Sequence, residues 1–220
     1  MDPRAARLAE LGLDLVHPFD AALASATRGL AALAGSERRG LLVGNSRALW
    51  PHFDAAMHDP AMAALANPLD TYVERAVATV FPGARIYFGH RRYDGAFVPL
   101  QTLAVATGLG ALAPNHLVIH PTLGPWFALR AVVLLAAEVL LDGEPPEPEP
   151  EPVSPVAKPC TCSDACPAAL ARALSGAGGE PWRAWLAVRD ACSLRAARYG
   201  DEQIRYHYLK VWRPAAKIFS

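Results

Sequence analysis

The residues best placed to do chemistry lie at 117–135, LVIHPTLGPWFALRAVVLL. His120-Pro121 and Gly124-Pro125 bracket a tight loop, Trp126-Phe127 follow it, and a lone Arg130 then interrupts an apolar run of strand formers. A guanidinium on a rigid strand suits a carboxylate or a phosphate, and Trp126 offers a flat apolar wall to a large ring system. The plainer reading is structural: Arg130 faces solvent or pairs with a carboxylate of the fold, and His120 fills a turn. The loop taken alone favours this second reading.

The cysteines are the other reactive group. Cys160, Cys162 and Cys166 stand as C-x-C-x3-C, with Cys192 further on. That spacing is irregular for zinc, whose cysteine pairs are usually C-x2-C or wider, so redox thiols or an inert remnant rank above a metal site. His52 and His58 are six residues apart and do not share a helix face, and His90 beside Arg91-Arg92 reads as a surface turn. No G-x-S-x-G, P-loop or G-x-G-x-x-G occurs.

Composition narrows the partners. Twenty-one Lys and Arg balance 21 Asp and Glu, which argues against nucleic acid or an anionic membrane surface and for a small molecule or a protein. The N-terminal ten residues lack the pattern of a secretory signal, so a cytoplasmic protein is expected, with cysteines as thiols or metal ligands. The apolar run 126–139 is broken by Arg130 and Glu138 and is too short to span a bilayer.

The elements that must position these residues follow from periodicity. Alanine-rich stretches at about 2–15 and 18–34 predict two helices. GLLVG at 40–44 predicts a buried strand, with Asn45-Ser46 as caps for a helix through 50–58. Asn67-Pro68 starts a helix that Pro82-Gly83 stops, a strand follows at 85–88, and another helix runs at about 99–107. Runs at 117–119 and 127–135 are suited to a hairpin. The Pro/Glu-rich segment 142–159 predicts an extended linker, after which 167–175, 181–192 and 201–212 read as helices whose Trp182, Trp185, Tyr206 and Trp212 pack back on the sheet. The class is α/β (α+β), in one domain of two parts, 1–141 and 160–220, joined by that linker.

The string IHPTLGPWFALRAVVLL resembles the signature of the MMACHC-like (CblC-type) family of cobalamin-processing proteins: Ile-His-Pro, a Gly-containing turn, Trp-Phe-Ala, an aliphatic residue, Arg and a Val-Val-Leu-Leu strand. Weaker matches keep the same chain order: Asn67-Pro68-Leu69-Asp70, Trp185 with Arg189-Asp190-Ala191, and Arg198-Tyr199 with Glu202-Gln203. The resemblance implies a flavin-nitroreductase-like fold, a mixed sheet flanked by helices, with cobalamin (vitamin B12) held base-off. It places His120, Pro121, Gly124, Pro125, Trp126, Phe127 and Tyr199 at the cobalamin, and sets Arg130 and Arg189 against the carboxylate of a thiol substrate. A third family arginine has no match in register; Arg213 stands near it. The implied activities are reductive decyanation with FMN, or transfer of the upper axial alkyl group to glutathione, with escort to a downstream B12-dependent enzyme.

Thr107-Gly108-Leu109-Gly110 with Pro114-Asn115 is more distantly similar to the cobalamin-binding region of epoxyqueuosine reductases and reductive dehalogenases. There a C-x2-C-x2-C-x3-C-P iron–sulfur motif follows. Cys162 and Cys166-Pro167 fit its end, but Val156 and Pro159 occupy the two earlier ligand positions. A flavin-dependent reductase without B12, a corrinoid-dependent reductase relative with a degenerate iron–sulfur segment, and a non-catalytic scaffold are the alternatives.

Overall fold

A computed structural model describes residues 3–27, 35, 37–135, 165–176 and 180–212. The expected linker, Cys160, Cys162 and Arg213 lie outside the described residues. Along the chain the elements are α1 (Pro3–Ala9), β1 (Leu15–Asp20), α2 (Ala21–Ala26), β2 (Arg39–Asn45), α3 (Leu49–Met57), α4 (Pro60–Ala63) and α5 (Pro68–Val80). They continue with β3 (Arg85–Phe88), β4 (Arg92–Tyr93), β5 (Ala96–Phe97), α6 (Leu100–Ala106), β6 (Ala111–Leu112), β7 (Val118–Ile119) and β8 (Ala128–Leu135). Three helices close the series: α7 (Ala165–Leu174), α8 (Pro181–Asp190) and α9 (Asp201–Leu209).

The α/β class follows from a four-stranded sheet in the order β1-β2-β8-β3, with helices on both faces. All three pairings in it are antiparallel. Its two middle strands are apolar on both faces, which is why GLLVG and AVVLL read as continuous hydrophobic runs. On one face Leu41, Val43, Ala131, Val133 and Leu135 meet Leu8 of α1, Phe53 of α3 and Val73 and Val77 of α5. On the other, Leu42, Val132 and Leu134 meet Phe19 and the α6 residues Leu103 and Ala104.

Three sequence expectations are corrected. The helix expected at 2–15 ends at Ala9, Gly12 turns the chain at φ 79°, and Leu15–Asp20 becomes a strand where the second helix was expected to begin. Six residue pairs with β2 hold Leu15–Asp20 extended, and Pro18 is tolerated because β1 is an edge strand. The 117–119 and 127–135 runs form no hairpin: β7 pairs with β6, while β8 is claimed by β2 and β3. Of the four aromatic residues expected to pack back on the sheet, Tyr206 and Trp212 join the α5-side cluster and Trp182 joins a separate one, but Trp185 is exposed.

Pairing between β2 and β8 breaks register once. Val43 opposes Ala131 and Gly44 opposes Leu129, so Arg130 is the extra residue of a β-bulge. Strict alternation would place Arg130 with Val132 and Leu134 on the α6 face; the bulge turns it to the face of Ala131 and Val133. Gly44 makes room for this, because a Cβ there would sit 2.5 Å from the Ala128 carbonyl oxygen. Gly44→Ala should therefore cost about 1–3 kcal/mol in urea unfolding. A Gly44→Ala protein as stable as the original would contradict the crowding at the bulge.

Candidate functional site

The bulge delivers Arg130 to a set of fixed acceptors and donors. Its Nε donates to Asn45 Oδ1 at 2.7 Å. Asn45 is fully buried at the end of β2 and donates through Nδ2 to the Ser46 carbonyl at 2.8 Å. Ser46 in turn is anchored by Asp14, which accepts from its backbone N at 2.7 Å and from its hydroxyl. Asn45 thus aims an arginine instead of capping α3, whose N-cap position is taken by Ala48.

The far end of the same guanidinium is different. Nη2 is buried and has no hydrogen-bond partner, and no carboxylate among the described residues pairs with Arg130. Burial pushes the Arg130 pKa below arginine's usual value, against weaker opposing effects from Tyr199, Asp70 and Tyr206.

Around it lies the third cluster, built from the loop before β8 and from α8 and α9. Trp126 is fully buried, with Tyr199 edge-on at 5.6 Å. The Arg189 and Arg198 guanidiniums approach its ring to 5.7 and 5.5 Å. Arg198 is held by Asp190 at 2.7 Å and Asp201 at 3.1 Å, whereas the Arg189 guanidinium makes no hydrogen bond or ion pair among the described residues. Tyr199 is buried, its hydroxyl has no partner, and burial pushes its pKa up to about 12. The His207 ring stacks 5.5 Å from Tyr199; burial, then Arg130, Lys210 and Arg189, push its pKa down to about 3, so it is neutral at ordinary pH. One turn earlier on α9, Gln203 is 1% exposed and neither of its amide atoms is hydrogen-bonded.

Trp126 Nε1, Arg130 Nη2, Tyr199 Oη, both Gln203 amide atoms and His207 Nε2 are thus all buried without a partner. Leaving one such group unsatisfied costs on the order of 1–3 kcal/mol, so these atoms are where a ligand or ordered water would have most to contribute. Donors and positive charge predominate, a set whose chemistry suits an anion.

The His120 loop has another role. His120 and Gly124 exchange backbone hydrogen bonds of 3.0 and 2.9 Å, and His120 Nδ1 accepts from the backbone N–H groups of Thr122 and Leu123, both at 3.2 Å. Its proton therefore sits on Nε2, and burial lowers its pKa, with His17 adding to the effect. Gly124, at φ 59°, packs so closely on the 193–195 segment that a Cβ would overlap the Leu194 carbonyl. Pro125 is buried and Pro121 exposed. Phe127 packs with the α6-side cluster, 5.9 Å from His120.

The loop residues and the Trp126–Tyr199–Arg130–Arg189 group are thus adjacent but face different surroundings. The flat wall expected of Trp126 is not present, because that ring is enclosed. Cys166 is buried and accepts from Asn115 Nδ2 at 3.4 Å, Cys192 is also buried, and no cluster of potential metal ligands occurs among the described residues. His90 is not a plain surface turn; it and Arg91 are tied to Glu74 of α5 at 2.7 and 2.6 Å. Gln203 and His207 escaped notice as site residues although their i, i+4 spacing behind Tyr199 was a usable signal.

No protein-family model matches the sequence, and no curated protein matches it. Among solved structures, the fold is similar to that of the B12-trafficking protein CblC from C. elegans, described as a homologue of human MMACHC. The TM-score is 0.60 at 14% identity, over 92% of this chain and 88% of that one. An epoxyqueuosine reductase gives a weaker likeness, TM-score 0.42 at 12% identity, over 75% of this chain and 50% of that one. Over nearly all its length, then, the chain has the fold of CblC, the family that its 119–135 segment resembles.

Proposed function

We propose that this chain binds cobalamin base-off in the cytosol and processes or escorts it, with a carboxylate-bearing thiol such as glutathione held by Arg130 and Arg189. The sequence resemblance and the fold shared with a B12-trafficking protein support the first half. One observation carries the second: the buried Nη2 of Arg130 has no partner, and neither it nor Arg189 is matched by a carboxylate among the described residues. A ligand carboxylate supplies the missing charge.

Cobalamin, when bound, supplies the metal centre whose upper axial ligand is removed. The loop fits base-off binding, because His120 spends Nδ1 on its own turn and keeps a proton on Nε2, leaving no lone pair to offer as a lower ligand. No D-x-H-x-x-G string offers one elsewhere in the sequence. The chain's own residues then position the thiol. Arg130, fixed through Nε, meets the carboxylate with Nη2, while Tyr199 keeps its proton and donates. Burial of these groups keeps water from competing. After processing, the product passes to a B12-dependent enzyme; if the ligand removed is cyanide, reduced FMN supplies the electrons and leaves as oxidised FMN.

Mixing hydroxocobalamin with purified protein should give the visible spectrum of a corrinoid without its lower base; an unshifted spectrum at saturating protein contradicts cobalamin binding.

Arg130→Ala removes a charge-assisted contact worth about 1.5–3 kcal/mol, so glutathione-dependent dealkylation should need about ten- to hundredfold more thiol. Cobalamin affinity should change far less, and Arg130→Lys should recover the contact only in part. A folded, cobalamin-binding Arg130→Ala protein with unimpaired dealkylation would exclude the role.

His207 adds a pH dependence. Unfolded, it titrates near 6.5; folded, at about 3. Between those values the unfolded chain holds the extra proton, so stability falls as pH drops through that window. His207→Phe should remove about 2 kcal/mol of the stability loss between pH 7 and pH 5, measured by urea unfolding. Identical losses in both proteins would show that His207 is not buried neutral.

A further inference from the structure

This inference rests on the reading of Arg130 and Arg189 as a carboxylate site, and it concerns the buried side chain with two unpartnered atoms. Gln203 lies on the inner face of α9 between Tyr199 and His207, 1% exposed, with both Oε1 and Nε2 unpartnered. A carboxamide carries no charge and cannot neutralise the arginines; what it lacks is one donor and one acceptor. Arg130, Arg189 and Lys210 all act on His207 one turn away, so the local field is positive. A cationic donor such as an ammonium is therefore disfavoured beside Oε1, and a neutral N–H is favoured. His207 Nε2, also unpartnered on the same face, adds a second neutral group that accepts or donates according to its tautomer.

We propose that Gln203 recognises an amide next to the ligand's carboxylate, so that the pocket selects N-acylated or peptide-type thiol acids over simple thiol acids and free amino acids. The ligand's carboxylate goes to Arg130 Nη2 and Arg189, its amide N–H to Gln203 Oε1, and its amide carbonyl accepts from the nearby buried donors. No covalent step is involved; Gln203 sorts ligands by binding alone. Discrimination of this kind is strong because the wrong ligand leaves the carboxamide unpaired.

Three small thiol acids separate the possibilities: N-acetylcysteine carries the amide, 3-mercaptopropionate has no nitrogen, and cysteine has an ammonium. Calorimetric titration of the full chain should show N-acetylcysteine binding about tenfold tighter than either of the others. Gln203→Leu should erase that preference while leaving 3-mercaptopropionate affinity within about twofold and the melting temperature unchanged or raised, since it replaces an unpartnered buried amide with an apolar group. Gln203→Met makes the same comparison if the leucine variant does not fold. An unchanged preference in the variant, or equal affinities in the original protein, would overturn the role of Gln203 and leave the carboxylate pocket standing. Loss of hydroxocobalamin affinity in Gln203→Leu without loss of the thiol preference would assign the amide to a corrin side chain instead, and so also overturn it. If none of the three acids binds, the carboxylate reading falls and this inference with it.

Discussion

Arg130 enters the protein on a central strand, and its charge has to be fixed in place without being neutralised there. Asn45 achieves the first through a single hydrogen bond of 2.7 Å to Nε. Among the described residues no carboxylate neutralises the charge: Nη2 is buried and unpartnered. Most of the surrounding arrangement follows from that constraint. The β-bulge turns the side chain to the α9 face, Gly44 leaves space for the bulge, and the Asp14–Ser46–Asn45 series holds the acceptor rigid. An amide fixes the direction of a guanidinium while leaving its charge for something else, which a carboxylate at the same position would not.

The remaining half of the pocket comes from the C-terminal helices, far along the chain from the sheet. Arg189 on α8 and Tyr199 just before α9 meet Trp126, whose position is set by the turn that His120 and Gly124 close, and on α9 His207 lies against Tyr199 with Gln203 one turn before it. Burying this many unsatisfied groups works against folding, and the two apolar clusters on the faces of the sheet offset it. Departures from local rules concentrated in one place, amid otherwise well-packed elements, are what a functional site looks like in physical terms.

Much of the fold was legible in the sequence because its elements carry strong local signals. GLLVG, the Asn67-Pro68 start with the Pro82-Gly83 stop, and the three C-terminal helices all appear close to their expected bounds. The failures have a common cause. Leu15–Asp20 and the partner of β7 are decided by pairing with residues distant in sequence, which local periodicity does not register. The site was legible in part. Arg130 stood out as a charge in an apolar strand, and Arg189 came through family resemblance. Their surroundings did not show, because a one-residue register shift decides which face Arg130 occupies, and because Gln203 and His207 look like ordinary polar positions until their burial is known.

The unpartnered atoms around Arg130 are the ones that a bound ligand, and not solvent, has to complete. A crystal structure of the full chain grown with hydroxocobalamin and glutathione tests this directly. A carboxylate within hydrogen-bonding distance of Arg130 Nη2, with the Asn45 contact intact, is the predicted result. Ordered water alone at Nη2, or an Arg130 swung away from Asn45 to pair with a carboxylate of the chain itself, would contradict it.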